Sequence, residues 1–160
     1  MASKKKVIHK VIVLIVLLGL TVSTMAADFL TTRTLATQGN ARAQFELAYM
    51  YDEGNGVAQN DTKAREWYLK SANQGNDHAQ NNIGYMYEQG NGVRQDYVKA
   101  KEWYLKSANQ GFAQAQFNHG AMYVRGRGVR QSYSIAKELF GRACDNGEQN
   151  GCEAYKLMMN

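Results

Sequence analysis

The chain has 160 residues, 44% of them hydrophobic and 21% charged, which suits one globular domain and excludes a disordered or collagen-like chain. Its formal net charge is +5, but four of its 19 basic residues lie among the first ten positions. The remaining chain carries 15 basic and 14 acidic residues, a net charge of +1. This near-neutral balance gives no support for nucleic-acid binding, which needs a strongly basic face.

Residues 1–26 predict a secretory signal peptide. Four lysines precede an uncharged apolar stretch at residues 11–22, and small residues follow it. Cleavage after Ala26 places Thr24 and Ala26 at the two positions that must be small. The apolar stretch is well short of the about 20 residues that span a bilayer, which favours cleavage over an uncleaved anchor. We therefore expect a periplasmic or secreted protein that contacts the membrane only if this segment stays uncleaved.

An internal repeat dominates the chain after this segment. Three units align without gaps at a period of 36, and a half-unit flanks them on each side. The units are residues 40–75, 76–111 and 112–147, and the half-units are residues 28–39 and 148–160. Such a period is typical of helical hairpins that stack because one hairpin cannot bury its own apolar face. We predict an all-α fold, an α/α solenoid of helix-turn-helix repeats over residues 27–160, with eight helices and no strand.

The first half of each unit predicts a helix that buries small and apolar residues. Its inward positions recur at i, i+4, i+5 and i+8. In the first unit they are Ala43, Leu47, Ala48 and Tyr51. The position of Ala48 holds glycine in the next two units, so we expect a neighbouring helix to approach closely there. A turn with two glycines follows each of these helices.

The second half of each unit predicts another helix with well-marked ends. It begins at a residue that can accept a hydrogen bond from the free N–H groups of a helix start. That residue is Asn60, Asp96 or Ser132 in the three units. The helix stops at a glycine, which suits the left-handed conformation after a last helical turn. Its buried face is predicted to hold Ala64, Trp67, Tyr68 and Ala72, or their equivalents.

Two segments resemble the halves of the Sel-one-like repeat (SLR) family, which is related to the tetratricopeptide repeats. Residues 79–93 read AQNNIGYMYEQGNGV, and residues 99–111 read KAKEWYLKSANQG. The resemblance recurs three times and covers residues 28–160. The family often has proline after G-x-G-V, where this chain has Ala58, Arg94 and Arg130. That difference leaves the loop inside each repeat less stiff.

The resemblance implies a right-handed superhelix that acts as an interaction scaffold through a concave surface. It implies a monomer without enzymatic activity or cofactor, whose partner is another protein. That partner would be an envelope protein, a host protein or a secreted effector for which the chain serves as the immunity partner.

Cys144 and Cys152 are the two cysteines of the chain. Cys144 falls at the end of one predicted helix and Cys152 near the start of the next, so their Cα atoms are expected within bridging distance. In an exported chain we favour a disulfide over two free thiols or a metal site. The C-x7-C spacing is also similar to the Helicobacter cysteine-rich proteins, secreted SLR proteins of which some are linked to penicillin binding and weak β-lactamase activity.

No combination of residues predicts a catalytic or metal site. Ser134 and Lys137 match the S-x-x-K motif of serine β-lactamases, but the accompanying S-D-N and K-T-G motifs are missing. His119 shares the core position of Leu47 and is predicted to be packed, while His78 is predicted to be exposed. Neither histidine has a partner at metal-ligand spacing. We expect no enzyme, with penicillin-binding or β-lactamase-like activity as the alternative.

The outward face of the first helices is the predicted binding surface. When the core positions turn inward, helical geometry turns one stripe of residues outward. This first-helix stripe comprises Arg42, Glu46, Tyr49, Glu53, His78, Asn82, Tyr85, Gln89, Gln114, Asn118, Ala121 and Arg125. Tyr49 and Tyr85 are the candidate anchors, because aromatic residues dominate binding hot spots. The alternative is an ordinary solvated face with two exposed tyrosines.

Charge changes sign along the array. Asp52 and Glu53 are predicted to lie on a solvent face near the first loop, whereas the third loop carries Arg125, Arg127 and Arg130. A partner with the opposite polarity would complement this gradient.

Overall fold

The computed structural model describes residues 27–159, so the predicted signal peptide at residues 1–26 lies outside the described residues. Within the described range the chain forms eight helices and no strand, as the repeat predicts. The helices are α1 (residues 27–37), α2 (Ala41–Glu53), α3 (Asp61–Asn73), α4 (Asp77–Gln89), α5 (Tyr97–Asn109), α6 (Ala113–Arg125), α7 (Tyr133–Asp145) and α8 (Gln149–Leu157).

Most helix starts follow from capping residues, and α6, which begins after Phe112, lacks a side-chain cap. α3, α5 and α7 begin after the predicted caps Asn60, Asp96 and Ser132, whose side chains accept hydrogen bonds from first-turn N–H groups. Asn40 and Asn76 cap α2 and α4 in the same way. Each side-chain cap contributes about 1 kcal/mol to the stability of its helix. The caps therefore define where each hairpin bends.

The helices stack in chain order. From α2 to α8, consecutive helices pack against one another. One cluster of buried apolar residues runs from Ala36 in α1 to Met86 in α4, and a second around Tyr104 joins α5 to α6. The core therefore runs lengthwise through the array, because each hairpin buries its apolar face on its neighbours.

The first helices bury the small and aliphatic residues that the pattern predicts, whereas Tyr87 and Tyr123, equivalent to the buried Tyr51, are half-buried. Ala43 is 4% exposed, Leu47 and Ala48 are fully buried, and the equivalent position of Ala48 in α4 is Gly84. A Cβ atom on Gly84 would lie 2.7 Å from the ring of Tyr104. Because that distance is too short for a real contact, glycine is what lets α4 and α5 approach this closely.

The prediction for the second helices is only partly correct. Ala64, Tyr68 and Ala72 are buried in α3, but Trp67 is half-buried. Its indole ring lies under the Lys70 ammonium group, with Nζ 3.7 Å from the ring centroid. The tryptophan therefore lies at the surface of the array, where it makes a cation–π contact with Lys70. Ala64, Tyr68 and Ala72 form the buried face of α3.

A serine fills the interior position that the pattern does not predict. Ser71 is fully buried, and its hydroxyl donates a hydrogen bond to the main-chain oxygen of Ala41 at 2.7 Å. Ser107 repeats this bond to Asp77 at 2.8 Å. Both bonds link a second helix to the start of the first helix of its own unit. The hydroxyls can be buried because each has a backbone acceptor.

Four junctions between units use the same two positions. Gln44, Gln80 and Gln116 are buried and donate through Nε2 to the main-chain oxygens of Ala36, Ala72 and Ala108 at 3.1, 3.1 and 3.2 Å. At the fourth junction Cys144 takes the alanine position and Cys152 the glutamine position. The two form the predicted disulfide, with their Cα atoms 4.4 Å apart. A covalent bond therefore replaces a repeated hydrogen bond where α7 meets α8.

Candidate functional site

The first-helix stripe is open on α2 and α4 and partly covered on α6. Tyr49 is 47% exposed and Tyr85 is 49% exposed, at equivalent positions of adjacent units. Other exposed members are Arg42, Glu46, Glu53, His78, Gln89 and Arg125. The half-buried members are Asn82, Gln114, Asn118 and Ala121. The two candidate anchors therefore project from the same face of neighbouring repeats.

Several amides of the stripe belong to the contact between α4 and α6. Asn118 donates through Nδ2 to Oδ1 of Asn81 at 3.0 Å, and Gln114 donates to Oδ1 of Asn118 at 3.3 Å. Asn81 also donates to Oδ1 of Asn82 at 3.4 Å. Sequence reasoning missed Asn81, although it stands where the neighbouring units have Phe45 and Phe117. A polar residue at an apolar repeat position was the available signal.

An aromatic row crosses the starts of three first helices. The His78 ring lies between Phe45 and Phe112, at centroid distances of 5.7 and 4.4 Å. A groove of about 350 Å³ beside it is lined by Arg42, Phe45, Glu46, Asn76 and His78. Arg42 and Glu46 form an exposed ion pair at 2.9 Å on the same rim. The exposed position of His78 is as predicted, and the two phenylalanines extend the predicted surface.

Two tyrosine–carboxylate pairs join the first and second helices, one part-buried and one buried. The Tyr68 hydroxyl donates to Asp52 at 3.2 Å, and the Tyr104 hydroxyl donates to Glu88 at 2.9 Å. Burial raises the pKa of the Asp52 carboxyl above its usual range. The expectation that Asp52 and Glu53 lie on a solvent face is met only in part: Glu53 is exposed, whereas Asp52 is half-buried and accepts a hydrogen bond from Tyr68.

The predicted charge gradient is weaker in the structure than in the sequence. Glu88 is 7% exposed and contacts Arg125 and Arg127, whose Nη1 atoms lie 3.8 and 3.4 Å from its Oε1. Two of the three arginines therefore share one buried carboxylate, which cancels part of their charge. Arg130 is exposed on the same loop.

The side chains singled out for chemistry do not assemble a reactive group. The Ser134 hydroxyl lies 3.1 Å from the Ser132 hydroxyl, while the Lys137 ammonium lies 5.9 Å from the centroid of the Tyr155 ring. His119 is buried, as predicted, and neither ring nitrogen has a hydrogen-bond partner.

Residues 27–159 lack two further kinds of functional feature. No cluster of three histidine, cysteine or acidic side chains in this range is arranged to hold a metal ion. None of its helices is long and apolar enough to cross a membrane.

The stacked hairpins and the exposed face of the first helices define a helical-repeat scaffold protein. The family model of the Sel1 repeat matches residues 41–76, 77–112 and 113–148. The chain therefore belongs to the Sel1 repeat family, as its motifs predict. Sel1 repeat proteins are typically protein-interaction modules, and their solenoid is generally a non-enzymatic scaffold.

Solved structures share this fold. The chain is similar to a Sel1 repeat protein from Oxalobacter formigenes, with 34% identity and a TM-score of 0.73 over 81% of this chain and 97% of that one. It is similar to a protective antigen of uropathogenic Escherichia coli strains that displays an SLR fold, with 36% identity and a TM-score of 0.74. That match covers 76% of this chain and 26% of the antigen.

A more distant likeness shows the fold alone. Helicobacter pylori cysteine-rich protein B is 22% identical, with a TM-score of 0.65 over 81% of this chain and 96% of that one. A comparison with curated proteins found no match.

Proposed function

We propose that this chain is an exported interaction module that binds a partner protein through the first-helix stripe. The observation that carries the proposal is the pair Tyr49 and Tyr85, each about half exposed at the same position of adjacent repeats. Tyrosine supplies a large contact area with few rotatable bonds, and such residues dominate binding energy at protein interfaces. The family's general role as interaction scaffolds supports the same reading.

Two observations support an oxidising compartment outside the cytoplasm. The first is the signal-like composition of residues 1–26, and the second is the disulfide between Cys144 and Cys152. In such a compartment the partner is an envelope protein, a secreted effector or a host protein, and the chain acts as a monomer. N-terminal sequencing of the exported protein tests this part, with Ala27 as the expected first residue. An intact N-terminus would contradict cleavage.

A capture experiment tests the binding face. The purified protein serves as bait for periplasmic and extracellular fractions, beside the variant Tyr49→Ala/Tyr85→Ala. Tyr133→Ala is the matched control, because Tyr133 is 61% exposed on α7 and lies outside the stripe. We expect the double variant to lose the captured protein and the control to keep it. Capture that survives the double substitution would disprove the proposed face.

The alternative activity has a separate test. Nitrocefin hydrolysis and fluorescent-penicillin labelling of the purified protein would reveal any β-lactamase-like or penicillin-binding activity. We expect neither, because the Ser134 hydroxyl is hydrogen-bonded to the Ser132 hydroxyl and not to a base, and the Lys137 ammonium lies 5.9 Å from the centroid of the Tyr155 ring. Turnover that Ser134→Ala abolishes would overturn the interaction proposal in favour of an enzyme.

A further inference from the structure

The contact between α6 and α8 differs from the contacts between earlier first helices. It contains an open groove of about 250 Å³, here called the α6–α8 groove. The groove is lined mainly by Phe117, Ala121, Val124 and Arg125 of α6, Phe140 of α7 and Leu157 of α8. Ala121 and Arg125 belong to the first-helix stripe, so the groove lies at the carboxyl-terminal end of the proposed binding face.

Three substitutions within the repeat create this groove. Ala121 stands where the earlier units have Tyr49 and Tyr85, so a phenol ring is missing from its wall. Val124 stands where the earlier units have a carboxylate, and Phe140 stands where they have a buried tyrosine. The groove is therefore lined by apolar residues at positions where the earlier units carry tyrosines and carboxylates.

One covalent bond and one aromatic contact lie next to the groove. The disulfide between Cys144 and Cys152 ties the end of α7 to the start of α8. The rings of Phe117 and Phe140 pack with their centroids 5.4 Å apart at the base of the groove. A preformed apolar site binds with a smaller loss of conformational entropy than a site that must be ordered on binding.

The charged residue that lines the groove is Arg125. Its side chain is 54% exposed, and its Nη1 lies 3.8 Å from a Glu88 oxygen that Arg127 approaches more closely, at 3.4 Å. Two guanidinium groups therefore share one carboxylate, which leaves positive charge at the groove rim. A second carboxylate, supplied by a partner, would balance that charge.

We propose that the α6–α8 groove anchors one large apolar side chain of an acidic segment of the partner protein, with an adjacent carboxylate paired to Arg125. This inference rests on the proposed function and specifies the chemistry that the same face recognises. The volume suits a single side chain, since sites for whole small molecules are about 300–1,000 Å³. The apolar lining supplies the affinity, and Arg125 selects acidic neighbours over neutral ones.

Methyl NMR of the purified, methionine-labelled protein tests the proposal, because Met158 also lines the groove. Met50, at the equivalent repeat position on α2, serves as the internal control. The probe is the peptide acetyl-Gly-Asp-Phe-Glu-Gly-amide. One comparison peptide carries alanine for phenylalanine, and another carries asparagine and glutamine for the two acidic residues.

We expect the acidic phenylalanine peptide to shift the Met158 signal and to leave the Met50 signal in place. The alanine peptide should give no shift, and the neutral peptide should bind about tenfold more weakly, as expected for a lost charged hydrogen bond. Ala121→Tyr, which copies the earlier units, should abolish the shift by filling the groove. Arg125→Gln, which copies Gln89, should remove the preference for the acidic peptide.

Three results would overturn the proposal: no shift at Met158, equal binding of the acidic and neutral peptides, or unchanged binding by a folded Ala121→Tyr variant. A concentration-dependent dimer that Ala121→Tyr dissociates would also overturn it, because the occupant would then be a second copy. The capture experiment separates this inference from the proposed function. If capture fails with Tyr49→Ala/Tyr85→Ala but survives Ala121→Tyr, the groove proposal is disproved and the proposed binding face is retained.

Discussion

The second and third repeats share one backbone pattern but differ in how they treat polar groups in the core. In the second repeat the buried Tyr104 hydroxyl donates to Glu88, which also contacts Arg127. In the third repeat the same two positions hold Phe140 and Val124. The hydroxyl and the carboxylate are lost together, because either one buried alone would lack its partner. The comparison teaches that in this chain the two positions hold either a polar pair or an apolar pair.

The junctions between units follow the same rule. The first three pair a glutamine with the main-chain oxygen of an alanine eight positions earlier. The fourth changes both positions to cysteine, and the two side chains bond to each other. The last half-unit packs mainly on α7, and the covalent link stabilises its attachment to that helix.

The largest expected effect comes from changing only one member of the buried Glu88–Tyr104 pair. We expect Glu88→Val to lower the free energy of unfolding by about 3 kcal/mol, because it leaves the buried Tyr104 hydroxyl without an acceptor and removes the carboxylate that two arginines share. Adding Tyr104→Phe recreates the third repeat's pair and should recover about 1–2 kcal/mol. Urea unfolding followed by circular dichroism measures both values.

The control for that cycle is Glu102→Val, at an exposed position of α5, which should change stability by no more than about 0.5 kcal/mol. If Tyr104→Phe adds a further loss to Glu88→Val, the two side chains do not act as a pair. The interpretation that Val124 and Phe140 together replace the polar pair of the second repeat would then be wrong.

The next effect concerns the fourth junction. Cys144→Ala/Cys152→Ala removes the disulfide and should lower stability by about 2–3 kcal/mol through the entropy of the unfolded chain. Cys144→Ala/Cys152→Gln copies the other three junctions and should recover about 1 kcal/mol through the restored hydrogen bond. Thermal unfolding of both variants under the same non-reducing conditions makes the comparison. Equal stability of the two would show that the glutamine cannot replace the bridge.

A third expected effect is a pH dependence of the free energy of unfolding that arises from one residue of the third repeat. His119 stands where the other units have Leu47 and Ile83, and burial together with the nearby Lys101 and Arg142 lowers its pKa to about 4. Below about pH 6.5 the His119 side chain therefore binds a proton in the unfolded chain but not in the folded chain. The stability contributed by neutral His119 is fully present above pH 6.5 and is lost progressively as the pH drops toward 4.

We expect the wild-type protein to lose about 2 kcal/mol of stability between pH 7.5 and pH 5 from this group. His119→Ile should remove that loss and stabilise the protein at neutral pH, since it also eliminates two buried nitrogens without partners. His78→Gln, at an exposed position, is the control that should leave the loss in place. A pH dependence unchanged in His119→Ile would show that another group is responsible.

The smallest effect lies on the second helices. Lys106 lies over Trp103 with its Nζ 4.0 Å from the ring centroid, whereas the third repeat has Leu139 and Arg142 at these positions. Lys106→Met should lower stability by about 0.5–1 kcal/mol by removing the cation–π contact. Arg142→Met should cost less, because no aromatic ring stands at the position of Leu139. Chemical denaturation resolves the difference, and equal losses would argue against a role for the ring.

Sequence reasoning predicted the features that depend on local patterns. The caps Asn60, Asp96 and Ser132 and the close approach at Gly84 follow from positions that recur in every unit. The exposed positions of Tyr49 and Tyr85 follow from helical geometry alone. It failed where a side chain breaks the rule for its type, as with the buried Ser71 and the half-exposed Trp67. Neither amino-acid type by itself reveals the backbone acceptor or the lysine that makes its placement favourable.

By itself the sequence determined the family, the order of the helices and the pair of cysteines placed to bond, because a 36-residue period repeats each local signal several times. Only the tertiary structure decided which polar groups find partners. Ser71 and Ala41 are 30 residues apart, and Arg127 and Glu88 are 39 apart. The α6–α8 groove likewise arises from side chains of three helices. Such contacts depend on how helices distant in the sequence pack, within one unit or between neighbouring units, and no local sequence pattern contains that information.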